Sequence, residues 1–191
     1  MISPIPPGHP YWHARSIVED FRSEIRALYF SYYEYIPQSL IDKRETFSLP
    51  TEDFLDHNII EATLRRTPSD RELAIHSRVD MQSGETRHIP MVDMSTGSVA
   101  QLAKLRPFLG EELFHRFKWY KSGRSFHGYG RTLITSNEWA ALMGTLLLAN
   151  QKGHPPTVDP RWVGHRLIAG YASLRWTKNT PHYINLPKEI D

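Results

Sequence analysis

Three short stretches carry residues able to do phosphate chemistry. IPMVDMS places Asp93 after an apolar run, SGRSFHGYG places His127 after a Ser-Gly turn, and TVDPRW places Asp159 ahead of a proline. Two carboxylates and an imidazole are the groups that hold hard cations and contact phosphate oxygens. Taken singly, each has a structural reading: an aspartate closing a strand often caps the next helix, a strand histidine often sits in the core, and Asp-Pro is a common helix start. The case for chemistry rests on bringing all three to one place.

The elements that must do so can be read from patterning. Residues 1–12 are proline-rich and read as an extended arm, and 13–191 as one domain whose motif-bearing core is about 70–180. From His13 to Ile36, Ile17, Phe21, Ile25 and Leu28 recur at helical spacing, which predicts a long amphipathic helix ending before Pro37. Residues 38–57 read as irregular, and NIIEATLRR at 58–66 as a short helix stopped by Thr67 and Pro68. A hairpin follows, ELAIHSRVDMQ and ETRHIPMVDMS about a Ser83-Gly84 turn, with Pro90 marking a bulge or an edge. Residues 97–109 predict a helix, with Pro107 placed to end it early. LFHRFKWY and FHGYGRTLIT form a second hairpin, and Thr135 with Glu138 writes a capping box ahead of an apolar helix over 139–149. A last strand-like segment lies within 159–178. Hairpins alternating with amphipathic helices predict an α+β fold, an antiparallel or mixed sheet with helices packed on it.

Composition narrows the field. The 191 residues contain no cysteine, which excludes thiol catalysis, zinc fingers and iron–sulfur clusters and suits a cytoplasmic protein. No stretch is long and apolar enough to span a membrane, and the start lacks the pattern of a signal peptide. A net charge of +2 does not by itself announce nucleic-acid binding, but Arg161, Arg166, Arg175 and Lys178 fall in a stretch without acids. No P-loop, G-x-S-x-G or H-E-x-x-H is present.

The order MVDMS, SGRSFHGYG, Val158-Asp159 resembles the three-motif signature of the archaeo-eukaryotic primase (primase-polymerase) superfamily, closest to its small, divergent primase 1D-like members. WVGHRLIAGYASLRWTKNT is also similar to that family's downstream basic strand and Lys-Thr pair. The resemblance implies an RRM-like palm and a nucleotidyltransferase in which two Mg²⁺ or Mn²⁺ ions join NTPs or dNTPs on a single-stranded DNA or RNA template. It implies metal ligation by Asp93 and Asp159, phosphate contact by His127, and support from Ser122, Arg124, Arg166, Arg175 and Lys178. A partner helicase or nuclease is left open, as is a catalytically degenerate, nucleotide- or strand-binding version of the fold. The first motif departs from the family, since Ser95 stands where a second carboxylate is expected. If Gln82 opposes Glu85 across the first turn, Glu72 falls opposite Ser95 and restores the missing acid. Along FHGYGR, His127, Tyr129 and Arg131 share one face and Gly128 and Gly130 the other, where a helix can approach closely.

Overall fold

The computed structural model describes residues 5–190. The fold is α+β, with helices packed on two antiparallel sheets. The chain enters through α1 (Pro10–Asp20), capped by the His9 ring, which accepts from the Tyr11 amide at 3.1 Å. The expected arm is therefore helical from Pro10 onward, with Tyr11 fully buried, while residues 1–4 lie outside the described residues. The expected long helix ends at Asp20. Residues Ile25–Tyr33 form β1, paired on one side to β2 (Arg44–Pro50) and on the other to β3 (Glu72–Met81). The run IRALYFSYY is rich in aromatic and β-branched residues, which pack better on a pleated sheet than around a helix, and this preference overrides the helical spacing. The segment read as irregular contains β2 and the short α2 (Thr51–Leu55).

After α3 (His57–Arg66), capped by Asp56, comes β3, buried along nearly its whole length and so the centre of its sheet. One edge of β3 faces β1. The other is shared, with β4 (Thr86–His88) on its C-terminal half and β9 (Ser173–Arg175) on its N-terminal half. Only β4 continues the hairpin. The turn is a three-residue loop with Gly84 at φ +88°, so Thr86 rather than Arg87 lies opposite Asp80. At Pro90 the chain leaves this sheet altogether. Its next strand, β5 (Met91–Asp93), pairs with β7 in the other sheet. The proline marks no bulge but the point where the chain passes from one sheet to the next, and the strand it leads into is the edge of the second sheet.

That second sheet has the order β10–β6–β7–β5, built on the expected hairpin of β6 (Phe117–Lys121) and β7 (Phe126–Gly130) and closed by β10 (Lys188–Glu189). Between β5 and β6 lie α4 (Val99–Leu109), which continues through Pro107, and α5 (Glu111–His115). Short β8 (Ile134–Thr135) pairs with β4 and leads into α6 (Ser136–Leu148), whose capping box between Thr135 and Glu138 is complete. The glycine face of β7 does not receive a helix. A Cβ on Gly128 would lie 2.5 Å from the Trp119 ring on β6, and one on Gly130 would lie 2.9 Å from Pro90. The close approach there is side chain on strand. The strand expected within 159–178 is β9, and it is preceded by a helix that the patterning did not signal, α7 (Pro160–Ala169).

Candidate functional site

Asp93, His127 and Asp159 converge. Asp93 closes β5 directly opposite His127 on β7. Just beyond, Met94 forms an antiparallel bridge with Val158, and the Asp159 amide donates to the Asp93 carbonyl at 3.0 Å. The bridge is held from behind by Asn150 at the end of α6. Its side-chain oxygen accepts from the Thr157 and Val158 amides at 2.8 and 2.9 Å, and its amide donates to the Val158 carbonyl. Asp159 then caps α7, its Oδ1 accepting from the Arg161 and Trp162 amides at 2.8 and 3.2 Å with Pro160 in the first turn. The structural and the functional reading of Asp159 therefore coexist, because the cap engages Oδ1.

The three residues line one cleft of about 530 Å³, within the size range of small-molecule sites. Asp93 and His127 form the wall from the four-stranded sheet, and Leu174 and Arg175 that from the six-stranded sheet. The Asp93 side chain keeps 22% of its surface open, yet burial, reinforced by the Asp159 charge and only partly offset by Arg175, pushes its carboxyl up to about 8. His127 Nε2 stands 3.7 Å from Asp93 Oδ1, too far for a hydrogen bond. Burial, with help from the Arg175 charge, holds His127 well below its usual value, so the ring is neutral, and its Nδ1 is buried without a partner. Paired acids with a raised carboxyl and a neutral imidazole describe a desolvated site.

Arg175 is the cation at this wall. It is buried and donates only to carbonyls, those of Thr177, Ser122 (2.8 Å) and Asn185 (3.2 Å), while its Nε has no partner. Among the described residues it forms no ion pair. Ser122 and Arg124 border the cleft on the β6–β7 turn, where Gly123 adopts φ +106°. Gly97 abuts the Arg124 carbonyl so closely that a Cβ there would come within 2.7 Å, which pins the Ser95 loop to this turn. Ser95 itself lines the cleft, and its amide donates to the Thr157 carbonyl.

Three of the anticipated residues stand elsewhere or are already engaged. Arg166 lines the cleft but is ion-paired to Asp42, which Arg44 also holds at 2.8 Å. Burial pushes Asp42 up, but the two arginines outweigh it and keep its carboxyl below the usual range. Lys178 is exposed and outside the cleft. Glu72 does not replace the missing acid. The shifted register and the departure of the chain at Pro90 remove it from Ser95, and it faces Tyr33 in the β1–β3 ladder. Its buried carboxylate accepts from the Asn179 and Thr180 amides (2.9 and 2.7 Å) and from the Thr177 and Thr180 hydroxyls, fastening the segment after β9. Among the described residues no cluster of three or more histidine, aspartate or glutamate side chains is arranged to hold a metal ion.

Further cleft residues lie outside the three motifs, with Tyr33 and Tyr35 in an aromatic run of the kind that packs a core or stacks bases. Tyr33, Tyr35 and the loop that follows come from the segment read as helix and coil, and Tyr183 from the tail. The Ser39 carbonyl in that loop accepts from Arg161 and His165 of α7 at 2.8 and 3.2 Å, so the loop arches over the cleft as one of its walls. Among the described residues no helix is long and apolar enough to cross a membrane.

No curated protein matches this sequence. A family model described as AEP-like, archaeo-eukaryotic primase 1D-like, matches residues 51–188, a span that holds Asp93, His127 and Asp159 and leaves out β1, β2 and the loop between them. With that match over more than half of its length, the chain belongs to the archaeo-eukaryotic primase 1D-like family.

Proposed function

We propose that the protein is a nucleotidyltransferase of the primase-polymerase kind, acting on nucleoside triphosphates with a single-stranded template. The observation that carries this reading is the meeting of Asp93, Asp159 and His127 in one cleft with a buried, carboxylate-free arginine. In the reaction the 3′-hydroxyl gives its proton to water as its oxygen bonds to the α-phosphorus, the bond from that phosphorus to the bridging oxygen breaks, and pyrophosphate leaves with its electron pair.

The donor set suits a hard divalent cation, Mg²⁺ or Mn²⁺, since it offers two carboxylates and a hydroxyl and no soft ligand. Asp93 and Asp159 would hold it. Burial first, and the Asp159 charge second, raise the Asp93 carboxyl, so the two acids share one desolvated place. When bound, such an ion neutralises phosphate charge and orients the reacting oxygens. With Ser95 neutral and Glu72 elsewhere, the residues fit one ion rather than the two the resemblance implied. Arg175, which lines the cleft without a carboxylate partner, supplies the charge that phosphate meets, and neutral His127 lines the same cleft. Arg124, exposed at the rim, adds charge to the same end.

The neutral Ser95 also favours a second reading, in which the cleft binds nucleotide or single strands without joining them. Incorporation of labelled NTPs and dNTPs on single-stranded DNA, with Mg²⁺ and with Mn²⁺, separates the two. Incorporation that vanishes in Asp93→Ala and in Asp159→Ala supports the transferase. Incorporation that survives both substitutions refutes this site. Salt-sensitive nucleotide binding without incorporation establishes the binding module.

A further inference from the structure

We infer that the outer half of this cleft is a base-stacking wall, made by Tyr35 and His182, that takes the nucleobase of the same nucleotide whose phosphates meet Arg175. The inference rests on the nucleotide reading above and deepens it by assigning a second half to the site.

An aromatic path leads outward from the phosphate end. The Arg175 guanidinium lies over the Tyr183 ring, 4.0 Å from its centroid. The Tyr183 hydroxyl meets that of Tyr33 at 3.1 Å, which fixes the ring at the end of β1. The next ring is Tyr35, 5.9 Å from Tyr183, and Tyr35 meets His182 edge-on at 5.5 Å. The two ring steps, 4.0 and 5.9 Å, bound from above the separation between the guanidinium and the Tyr35 ring. Inner and outer rings differ in their surroundings. Tyr183 is half-buried, whereas Tyr35 lines the cleft with 45% of its surface exposed and His182 is exposed beside it. A large aromatic face left open inside a concave polar site is the kind of surface on which a base stacks, and every base has a π-face to offer.

The wall is also held in place. Tyr35 follows β1 directly, and the loop after it is tied to α7 through the Ser39 carbonyl. His182 and Tyr183 follow the segment fastened by Glu72 through Asn179 and Thr180. Two chain segments distant in sequence are thus anchored separately and present their rings to one another at the cleft mouth. Such pre-ordering lowers the entropy lost when a ligand stacks there.

Calorimetric titration with ATP and with inorganic tripolyphosphate, each with Mg²⁺, tests the assignment on the wild type, Tyr35→Phe and Tyr35→Ala. Stacking of one base predicts that Tyr35→Ala weakens ATP binding by about 5- to 150-fold. Tripolyphosphate binding stays within about twofold, and Tyr35→Phe keeps the wild-type affinity for both. Unchanged melting temperatures show that the variants are folded, and His182→Ala, on an exposed side chain, repeats the test with a smaller loss for ATP alone. Equal losses for ATP and tripolyphosphate, or no loss for either, overturn the stacking wall while the phosphate end stands. Failure of the wild type to bind either ligand overturns the wall and the nucleotide reading together.

Discussion

Asp93→Asn makes the folded protein more stable, and increasingly so as pH rises. The carboxyl titrates near 3.8 in the unfolded chain and near 8 in the folded one, chiefly through burial and the neighbouring Asp159. A group with a raised folded value contributes stability that is fully present below about pH 4 and is lost as pH climbs towards 8. Each unit between those limits costs up to ~1.4 kcal/mol, a ceiling of roughly 5 kcal/mol at pH 8. The side chain is partly open to the cleft, so screening reduces this to about half, or ~2–3 kcal/mol. Asparagine keeps the shape and carries no charge to bury. Urea unfolding followed by tryptophan fluorescence at pH 5, 6, 7 and 8 measures the difference between variant and wild type, with the buried histidines cancelling because both proteins share them. The expected difference grows with pH at constant m-value. Adding Mn²⁺ at pH 8 narrows it by stabilising the wild type alone. A difference that stays flat from pH 5 to 8, or shrinks, would refute the claim that Asp93 is desolvated beside a second carboxylate.

Two further substitutions probe the frame around the cleft. Glu72→Ala strips four donors of their buried acceptor and lowers stability by about 3–5 kcal/mol, read as a fall in the urea midpoint; a loss under ~1 kcal/mol would show that the segment after β9 needs no such fastener. Burial holds His9, His13 and His88 down to about 4 and His76 to about 2, so their contribution is intact above pH 6.5 and is lost as pH falls below it. Each costs up to ~2 kcal/mol by pH 5. His76→Gln therefore flattens the decline of melting temperature between pH 7 and 5, and an unchanged slope counts against a neutral His76.

What the sequence disclosed was local. The second hairpin, the helix over 57–66 and the Thr135–Glu138 cap were legible because turn glycines, capping side chains and short-range alternation act within a few residues. The three site residues were legible as motifs, and their convergence depended on strand order. Residues 25–33 were misread because four apolar residues happened to match a helical period while the aromatic run favoured a sheet. Glu72 was misplaced because the second arm leaves the sheet at Pro90, and because the longer turn at Gly84 moves the register by one. The Asp42 that occupies Arg166 approaches from a remote segment, and no spacing rule reaches it.

The passage of the chain at Pro90 gives the cleft a property neither sheet has alone. Asp93 and His127 ride on one sheet and Arg175 on the other, so the gap between carboxylate and guanidinium is set by how the two sheets lean together. One bond crosses that seam at the site itself, from Arg175 to the Ser122 carbonyl on the β6–β7 turn. A ligand anion that draws the guanidinium towards itself loads that bond and pulls on the turn carrying Arg124. Occupancy on one sheet is thereby felt as tension on the other, and core substitutions far from the ligand become adjustments of its grip.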